Sequence, residues 1–225
     1  MDYFKTAQLI LTDREKYYEE VKNHVDIPEK VTSMLLSILI CCSAYGLIIG
    51  FFHSWQQALS SGLKLPILYI ATLFICFPTL YIFSAIFGAG KTASQYFVLL
   101  LSSLTTISLL LAAFAPIALF FNLTTHHYQF FKLLNVAIFT ISGTLGTNFF
   151  YKGMLHFATS DAEKVTIEKI VKLWILLFAF VGSQLGWTLR PFFGAAEHPF
   201  EIVREVGGNF YINVILTIKD VLGGM

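Results

Sequence analysis

The residues of this chain that could take part in chemistry are unevenly distributed. No aspartate or glutamate lies between Lys30 and Ser160, so this long stretch offers no carboxylate as a general base, a proton carrier or a ligand for a hard cation. His126 and His127 are adjacent, and because adjacent side chains diverge they do not make a metal site by themselves. We therefore predict no catalytic residue, no metal site and no cofactor.

The segment Gly88-Ala89-Gly90-Lys91-Thr92 resembles the second half of a phosphate-binding loop. That motif needs a preceding strand and an acidic partner for magnesium, whereas here a long apolar segment precedes it. We interpret it as a tight cytoplasmic turn, and we expect the protein to bind neither nucleotide nor nucleic acid.

The end of the last long apolar segment carries a different kind of chemistry. Arg190 is followed by Pro191, and Trp187 and Gln184 lie within the two preceding helical turns. A permanent charge at the edge of hydrocarbon must reach lipid headgroups or a partner. Arg190, Trp187 and Gln184 are therefore predicted to form an anchor for headgroups or for a partner subunit, with an arginine that only snorkels to the interface as the plainer alternative.

The fourth apolar segment carries an uncharged polar stripe. Thr140, Thr144, Thr147 and Asn148 stand at helical spacing, i, i+4, i+7 and i+8, and such a face must pack against other helices or line water. Pro78 and Pro116 lie inside two other apolar segments, where a proline kinks a helix for packing or forms a gate.

Composition sets the class of protein to which these residues belong. The 225 residues are 56% hydrophobic and 13% charged, against about 25% charged in a soluble domain. The apolar segments, each close to the ~20 residues that a helix needs to cross a bilayer, cover residues 33–52, 65–87, 94–121, 133–151 and 173–190. We predict an all-α integral membrane protein, a bundle of about five transmembrane helices with amphipathic interfacial helices at both termini.

The chain is expected to have three regions. Residues 1–30 form an amphipathic cytoplasmic arm, 31–194 the five-helix domain, and 195–225 an interfacial tail whose apolar part, Phe210–Leu222, is too short to span. Basic residues are about twice as numerous on the side of the N-terminus, which predicts a cytoplasmic N-terminus and an outer C-terminus in a plasma or inner membrane. The polar first residues predict no cleaved signal peptide.

Five spans, an amphipathic N-terminal arm, short loops and Pro78 in the second span resemble the layout of the Yip1-like family of small five-span membrane proteins. The short acidic signature of that family's eukaryotic members has no counterpart between residues 30 and 160. The resemblance implies a membrane-organising or adaptor role, and no site residues are carried over from it.

Three classes of function are compatible with these observations. We favour a non-enzymatic scaffold, accessory subunit or membrane-organising adaptor, whose partners are the lipid bilayer and other membrane subunits or further copies of itself. The alternative is a homo-oligomeric channel of low charge selectivity, lined by the polar face of span 4 or by the hydroxyls of span 3. A membrane enzyme would have to use the few polar groups predicted on the outer side, namely His126, His127, Arg190, Glu197 and His198.

Overall fold

The computed structural model describes residues 4–87, 91–125, 127–194, 200–203 and 210–223, and in these ranges all regular secondary structure is helical. The helices are α1 (Lys5–Thr12), α2 (Arg14–Lys22), α3 (Ile27–Gly50), α4 (Trp55–Ile86), α5 (Ala93–Thr124), α6 (Tyr128–His156), α7 (Asp161–Thr188) and α8 (Phe210–Gly223). The side chains of α8 are described as far as Lys219.

Four helices of the described chain, α3 to α6, are long and apolar enough to cross a membrane, which is consistent with the predicted membrane location. The fifth predicted span, 173–190, falls mostly in α7, which is not among the four. The first half of α7 is charged, from Asp161 to Lys172, so its apolar part is shorter than those of α3 to α6. An all-helical membrane protein is therefore supported, and the count of five spans stays a prediction.

Three of the long helices, α4, α5 and α7, begin where a short polar side chain accepts from a free amide of the first turn. Ser54 Oγ accepts from Gln57 N at 3.2 Å, and Ser160 Oγ accepts from Glu163 N at 3.2 Å. Thr92 and Gln95 form a reciprocal capping box at the start of α5. Because Ser54 starts α4 ten residues before the predicted span, the polar stretch 57–64 becomes helical instead of forming a loop.

The most buried helix is α5, which packs between α3 and α6 with 67% of its apolar window inside the protein. Its hydroxyls lie in this interior and donate to backbone carbonyls: Ser102 to Leu99, Ser103 to Gly146, Thr105 to Leu101, Thr106 to Ser102 and Ser108 to Thr105. Backbone carbonyls satisfy these donors where water cannot. The hydroxyl face of span 3 is thus part of the core of the protomer.

Glycines bring two pairs of helices into close contact. A Cβ added at Gly50 of α3 would lie 2.7 Å from Ala58 Cα of α4, and one added at Gly46 would lie 2.8 Å from Ser61 C. On α6, a Cβ at Gly146 would lie 2.9 Å from Ser103 O of α5. These contacts fix α4 on α3 and α6 on α5, as small residues commonly do in membrane bundles.

The amphipathic arm docks under the bundle. Tyr17, Tyr18 and Val21 of α2 are buried, and Tyr18 Oη donates to Phe149 O of α6 at 2.9 Å. Burial raises the pKa of both phenols, so each hydroxyl keeps its proton in the physiological range. Glu19 Oε1 lies 2.8 Å from His156 Nε2 at the end of α6. The arm therefore covers the α5–α6 contact at the C-terminal end of α6.

We predict that Gly146→Ala lowers the free energy of unfolding by about 1–3 kcal/mol, because the added methyl overlaps α5. The matched control is Gly143→Ala, three residues away on the same helix, where nothing lies within 4 Å of the added methyl. The control should be neutral or more stable by up to about 1 kcal/mol. Thermal unfolding of both variants in the same detergent checks this, and equal effects would refute the close α5–α6 contact.

Tyr18→Phe should weaken docking of the arm by about 0.5–1.5 kcal/mol, since it removes the bond to Phe149 O. Tyr17→Phe is the matched control, because Tyr17 Oη donates to Met34 Sδ, a weak acceptor, at 3.5 Å and makes no bond to α6 like that of Tyr18 to Phe149 O. The readout is the rate of limited trypsin cleavage at Lys16 and Lys22. Cleavage must accelerate in Tyr18→Phe and change little in Tyr17→Phe; the reverse order would count against the docked arm.

Candidate functional site

A cleft of about 1280 Å³ lies between α4, α6, α7 and α8. Its α6 wall consists of side chains at helical spacing, at positions 132, 136, 140, 143, 144 and 147. The opposite wall is α7, and α4 and α8 complete the enclosure. Apolar walls with a few polar groups are typical of sites that bind small molecules or lipids, and this volume exceeds the usual upper value of about 1000 Å³.

The cleft exists because α6 and α7 pack against different neighbours. α6 is held to α5, whereas α7 packs chiefly on α4, where Trp174 Nε1 donates to Cys76 O at 2.9 Å. Small residues widen the space that remains between them. A Cβ at Gly182 would first meet Thr72 at 3.6 Å, and one at Gly186 would meet Leu68 at 4.0 Å.

The threonines of the α6 wall are satisfied within their own helix. Thr140 Oγ1 donates to Val136 O at 2.7 Å, Thr144 to Thr140 O at 2.8 Å and Thr147 to Gly143 O at 2.8 Å. Since each hydroxyl proton is engaged, the wall presents methyl groups and oxygen lone pairs. It is a weakly polar surface along which an apolar chain can lie without displacing a hydrogen bond.

The end of the cleft near the N-terminus of α6 is cationic. Arg190 Cζ stands 3.7 Å from the centre of the Trp187 ring, a cation–π stack, and both residues line the cleft. Lys132 of α6 lines the same end and donates from Nζ to Asn213 Oδ1 of α8 at 3.1 Å. Among the described residues that line the cleft there is no aspartate or glutamate.

The segment that carries Arg190 is fixed by the first turns of α4. Gln57 Nε2 donates to Pro191 O at 2.7 Å, and Ser61 Oγ donates to Phe192 O at 2.5 Å. Lys64 Nζ donates to Pro191 O at 3.2 Å and also to Ile202 O. These three side chains, which we call the α4 clamp, donate to backbone carbonyls of the segment after α7, and the carbonyls in turn satisfy the buried ammonium of Lys64.

Gly194 allows the chain to turn away behind the clamp. Its φ of +62° is in the left-handed region, and a Cβ there would lie 2.5 Å from Cβ of His53. Both the conformation and the space therefore require glycine.

The structure gathers most, but not all, of the predicted site residues. Arg190 and Trp187 line the same cleft as Thr140, Thr144 and Thr147, so the anchor and the polar stripe belong to one site. The remaining predicted site residues, which are Gln184, Asn148, Pro78 and Pro116, do not line the cleft. Both prolines stand on exposed faces of uninterrupted helices.

Sequence reasoning missed Lys132 as a site residue and treated it only as a marker of topology. A signal for it exists, because Lys132 and Val136 precede Thr140 by eight and four residues and extend the same helical face. Asn213, its partner on α8, could not be found this way, because the contact joins distant parts of the chain.

The other candidate groups lie partly outside the described residues. His126, Glu197, His198 and Gly88–Gly90 fall in stretches that the structure does not describe. His127 is described and lines the cleft. In the described ranges, no group of three or more histidine, cysteine, aspartate or glutamate side chains is placed to hold a metal ion.

Comparison with family models, with curated proteins and with solved structures finds no match for this chain. The Yip1-like resemblance thus rests on the layout of the chain alone.

We predict that Lys64→Met lowers the free energy of unfolding by about 1.5–3 kcal/mol, because two carbonyls lose a charged donor. Lys16→Met, which removes an exposed lysine from α2, should change it by less than about 0.5 kcal/mol. Thermal unfolding in one detergent measures both. A Lys64→Met variant as stable as the Lys16→Met variant would mean that the α4 clamp does not hold the segment after α7.

Proposed function

We propose that this is a non-enzymatic multi-pass membrane protein that binds a lipid of the surrounding bilayer in the cleft between α6 and α7, and so acts as a membrane-organising or accessory protein. The observation that carries the proposal is the cleft, a large space with apolar walls, a hydroxyl-bearing face and a cationic end. The role implied by the Yip1-like layout is of the same kind.

The proposal includes five spans, with α7 as the fifth. Three contacts at different heights align α7 antiparallel to α4. Lys91 Nζ, just beyond the end of α4, lies 3.3 Å from Glu163 Oε1 in the first turn of α7. Trp174 meets Cys76 in the middle, and Gln57 in the first turn of α4 holds Pro191 just after α7. A helix that runs beside α4 over this length crosses the same layer as α4 does.

An odd number of spans puts the termini on opposite sides of the membrane. With the distribution of basic residues, this gives a cytoplasmic arm and a cleft whose cationic end lies at the outer surface. The cytoplasmic end of α6 is covered by α2, through Tyr18 and Phe149. A lipid therefore enters from the outer leaflet in this arrangement, with its polar end at Arg190 and Lys132.

The test fills the cleft without disturbing the packing of α6. Gly143→Trp projects an indole into the space, since nothing lies within 4 Å of the added Cβ. Leu145→Trp is the matched control, because Leu145 is 47% exposed on the same helix, faces away from the cleft and does not line it. Native mass spectrometry of protein released from nanodiscs counts the lipids that remain bound to each protomer.

We expect the parent protein and Leu145→Trp to retain lipid, and Gly143→Trp to lose at least one lipid per protomer. Gly143→Leu provides a smaller filling group, and size-exclusion profiles confirm that each variant is folded. Identical lipid retention by the parent protein and by both Gly143 variants would refute the proposal.

A homo-oligomeric pore of low charge selectivity is the second candidate, and the exposed hydroxyls of Thr140 and Thr144 favour it. The α6 face would have to line such a pore, because the hydroxyls of α5 are engaged inside the protomer. Light scattering, corrected for bound detergent and lipid, gives the number of copies per particle and so distinguishes the pore from the lipid-binding protein. A closed ring of four or more copies that conducts in a planar bilayer supports the pore, whereas a monomer refutes it.

A further inference from the structure

We propose that the cleft selects lipids with an anionic phosphate headgroup, which binds at Arg190 and Lys132 while one acyl chain lies along the threonine face of α6. This inference rests on the proposed function and specifies the chemistry of its ligand. It is carried by three independent features of the outer end of the cleft: its charge, the fixed position of its cations, and a buried donor that has no acceptor among the described residues.

The charge at this end is matched to a phosphate. Arg190, just after the end of α7, and Lys132 of α6 line one opening. A guanidinium offers a planar fork of donors to phosphate oxygens, and an ammonium adds a point charge. Next to hydrocarbon, such pairs are screened far less than they are in water.

Both cations are held in place before any ligand binds. Arg190 is stacked on Trp187, and the α4 clamp fixes the backbone that follows it. Lys132 is held by Asn213 of α8. Because the side chains are already ordered, a bound headgroup does not have to order them, and this saving is the usual advantage of a preorganised site.

The third feature is the indole of Trp187. The residue is 9% exposed and lines the cleft, and within the described residues its Nε1 has no hydrogen-bond partner. A buried N–H without an acceptor is unfavourable by about 1–3 kcal/mol. A phosphate or ester oxygen at the mouth of the cleft would supply that acceptor.

The length of the cleft also suits a lipid. From Lys132 to Thr147 the α6 wall rises about 22 Å, at about 1.5 Å per residue. One leaflet contributes about 15 Å of hydrocarbon, half of the ~30 Å core. A headgroup at Lys132 therefore leaves room for a full acyl chain beside Thr140 and Thr144.

The experiment presents the full-length protein with nanodiscs that contain equal amounts of phosphatidylglycerol and phosphatidylcholine. Native mass spectrometry then gives the ratio of the two lipids that stay bound. We expect phosphatidylglycerol to be enriched about tenfold in the parent protein, as about 1.4 kcal/mol of selective binding would produce.

Arg190→Gln combined with Lys132→Gln should bring the ratio to about one. Trp187→Phe, which keeps an aromatic ring at this position but removes the indole N–H, should reduce the amount of lipid retained several-fold. The matched control is Lys219→Gln combined with Lys16→Gln. It also removes two charges, but from residues that do not line the cleft, and it should keep the enrichment.

The outcomes separate this inference from the proposed function. Equal retention of the two lipids by the parent protein, with loss in Gly143→Trp, overturns the headgroup inference and leaves the lipid cleft standing. Failure of Gly143→Trp to displace any lipid overturns both. Displacement of phosphatidylglycerol by millimolar glycerol phosphate would identify a site for soluble phosphates and overturn the lipid assignment.

A second measurement covers the case in which the double variant does not fold. Phosphatidylglycerol added to the delipidated parent protein should raise its melting temperature more than phosphatidylcholine does. Equal shifts would overturn the inference.

Discussion

The close contact of α6 with α5 at Gly146 is the constraint on which the rest of the arrangement depends. Ser103 Oγ donates to Gly146 O at 2.8 Å, so a side chain of α5 is bonded to the backbone of α6 and opposes rotation of α6 about its axis. With Gly146 turned towards α5, the stripe from Thr140 to Thr147 is turned towards α7. Because α7 packs chiefly on α4, the threonine stripe of α6 faces an open cleft and is not packed against α7. The cleft is therefore a consequence of packing on the opposite side of α6.

The end of the bundle where α7 stops is stabilised by hydrogen bonds that satisfy polar groups away from water. Where α7 stops, at Thr188, the chain must turn and expose carbonyls close to hydrocarbon. The clamp formed by Gln57, Ser61 and Lys64 donates to those carbonyls, and in return the carbonyls satisfy a buried lysine. One set of hydrogen bonds thus ends α7, ties it to α4 and fixes the backbone next to Arg190. Stability and the geometry of the candidate site are provided by the same interaction.

Local sequence was sufficient for the helices and for the faces of α6, but not for the way in which helices α6 and α7 are arranged. Periodicity identified Thr140, Thr144 and Thr147 as one stripe, and the cost of a charge near hydrocarbon singled out Arg190. These residues share one cleft because of contacts between distant parts of the chain, such as the contact of Trp174 with Cys76. No local sequence pattern specifies such contacts. For the same reason Asn148 and Gln184 were grouped with the site although neither lines it. α4 begins at Trp55, ten residues before the predicted span, and Gln57 in its first turn bonds to a segment after α7 that no local pattern identifies.

The two ends of the bundle are built differently, and this difference bears on function. At the end where α6 terminates, aromatic side chains of α2 are buried against α6, and Glu19 lies beside His156, so this end is closed by the protein's own arm. At the opposite end, Lys132 and Arg190 flank an opening with apolar walls. A water-filled path through one protomer would need both ends open, whereas a lipid needs a single opening to one leaflet. The asymmetry therefore favours a site that holds a lipid over a route that crosses the protomer.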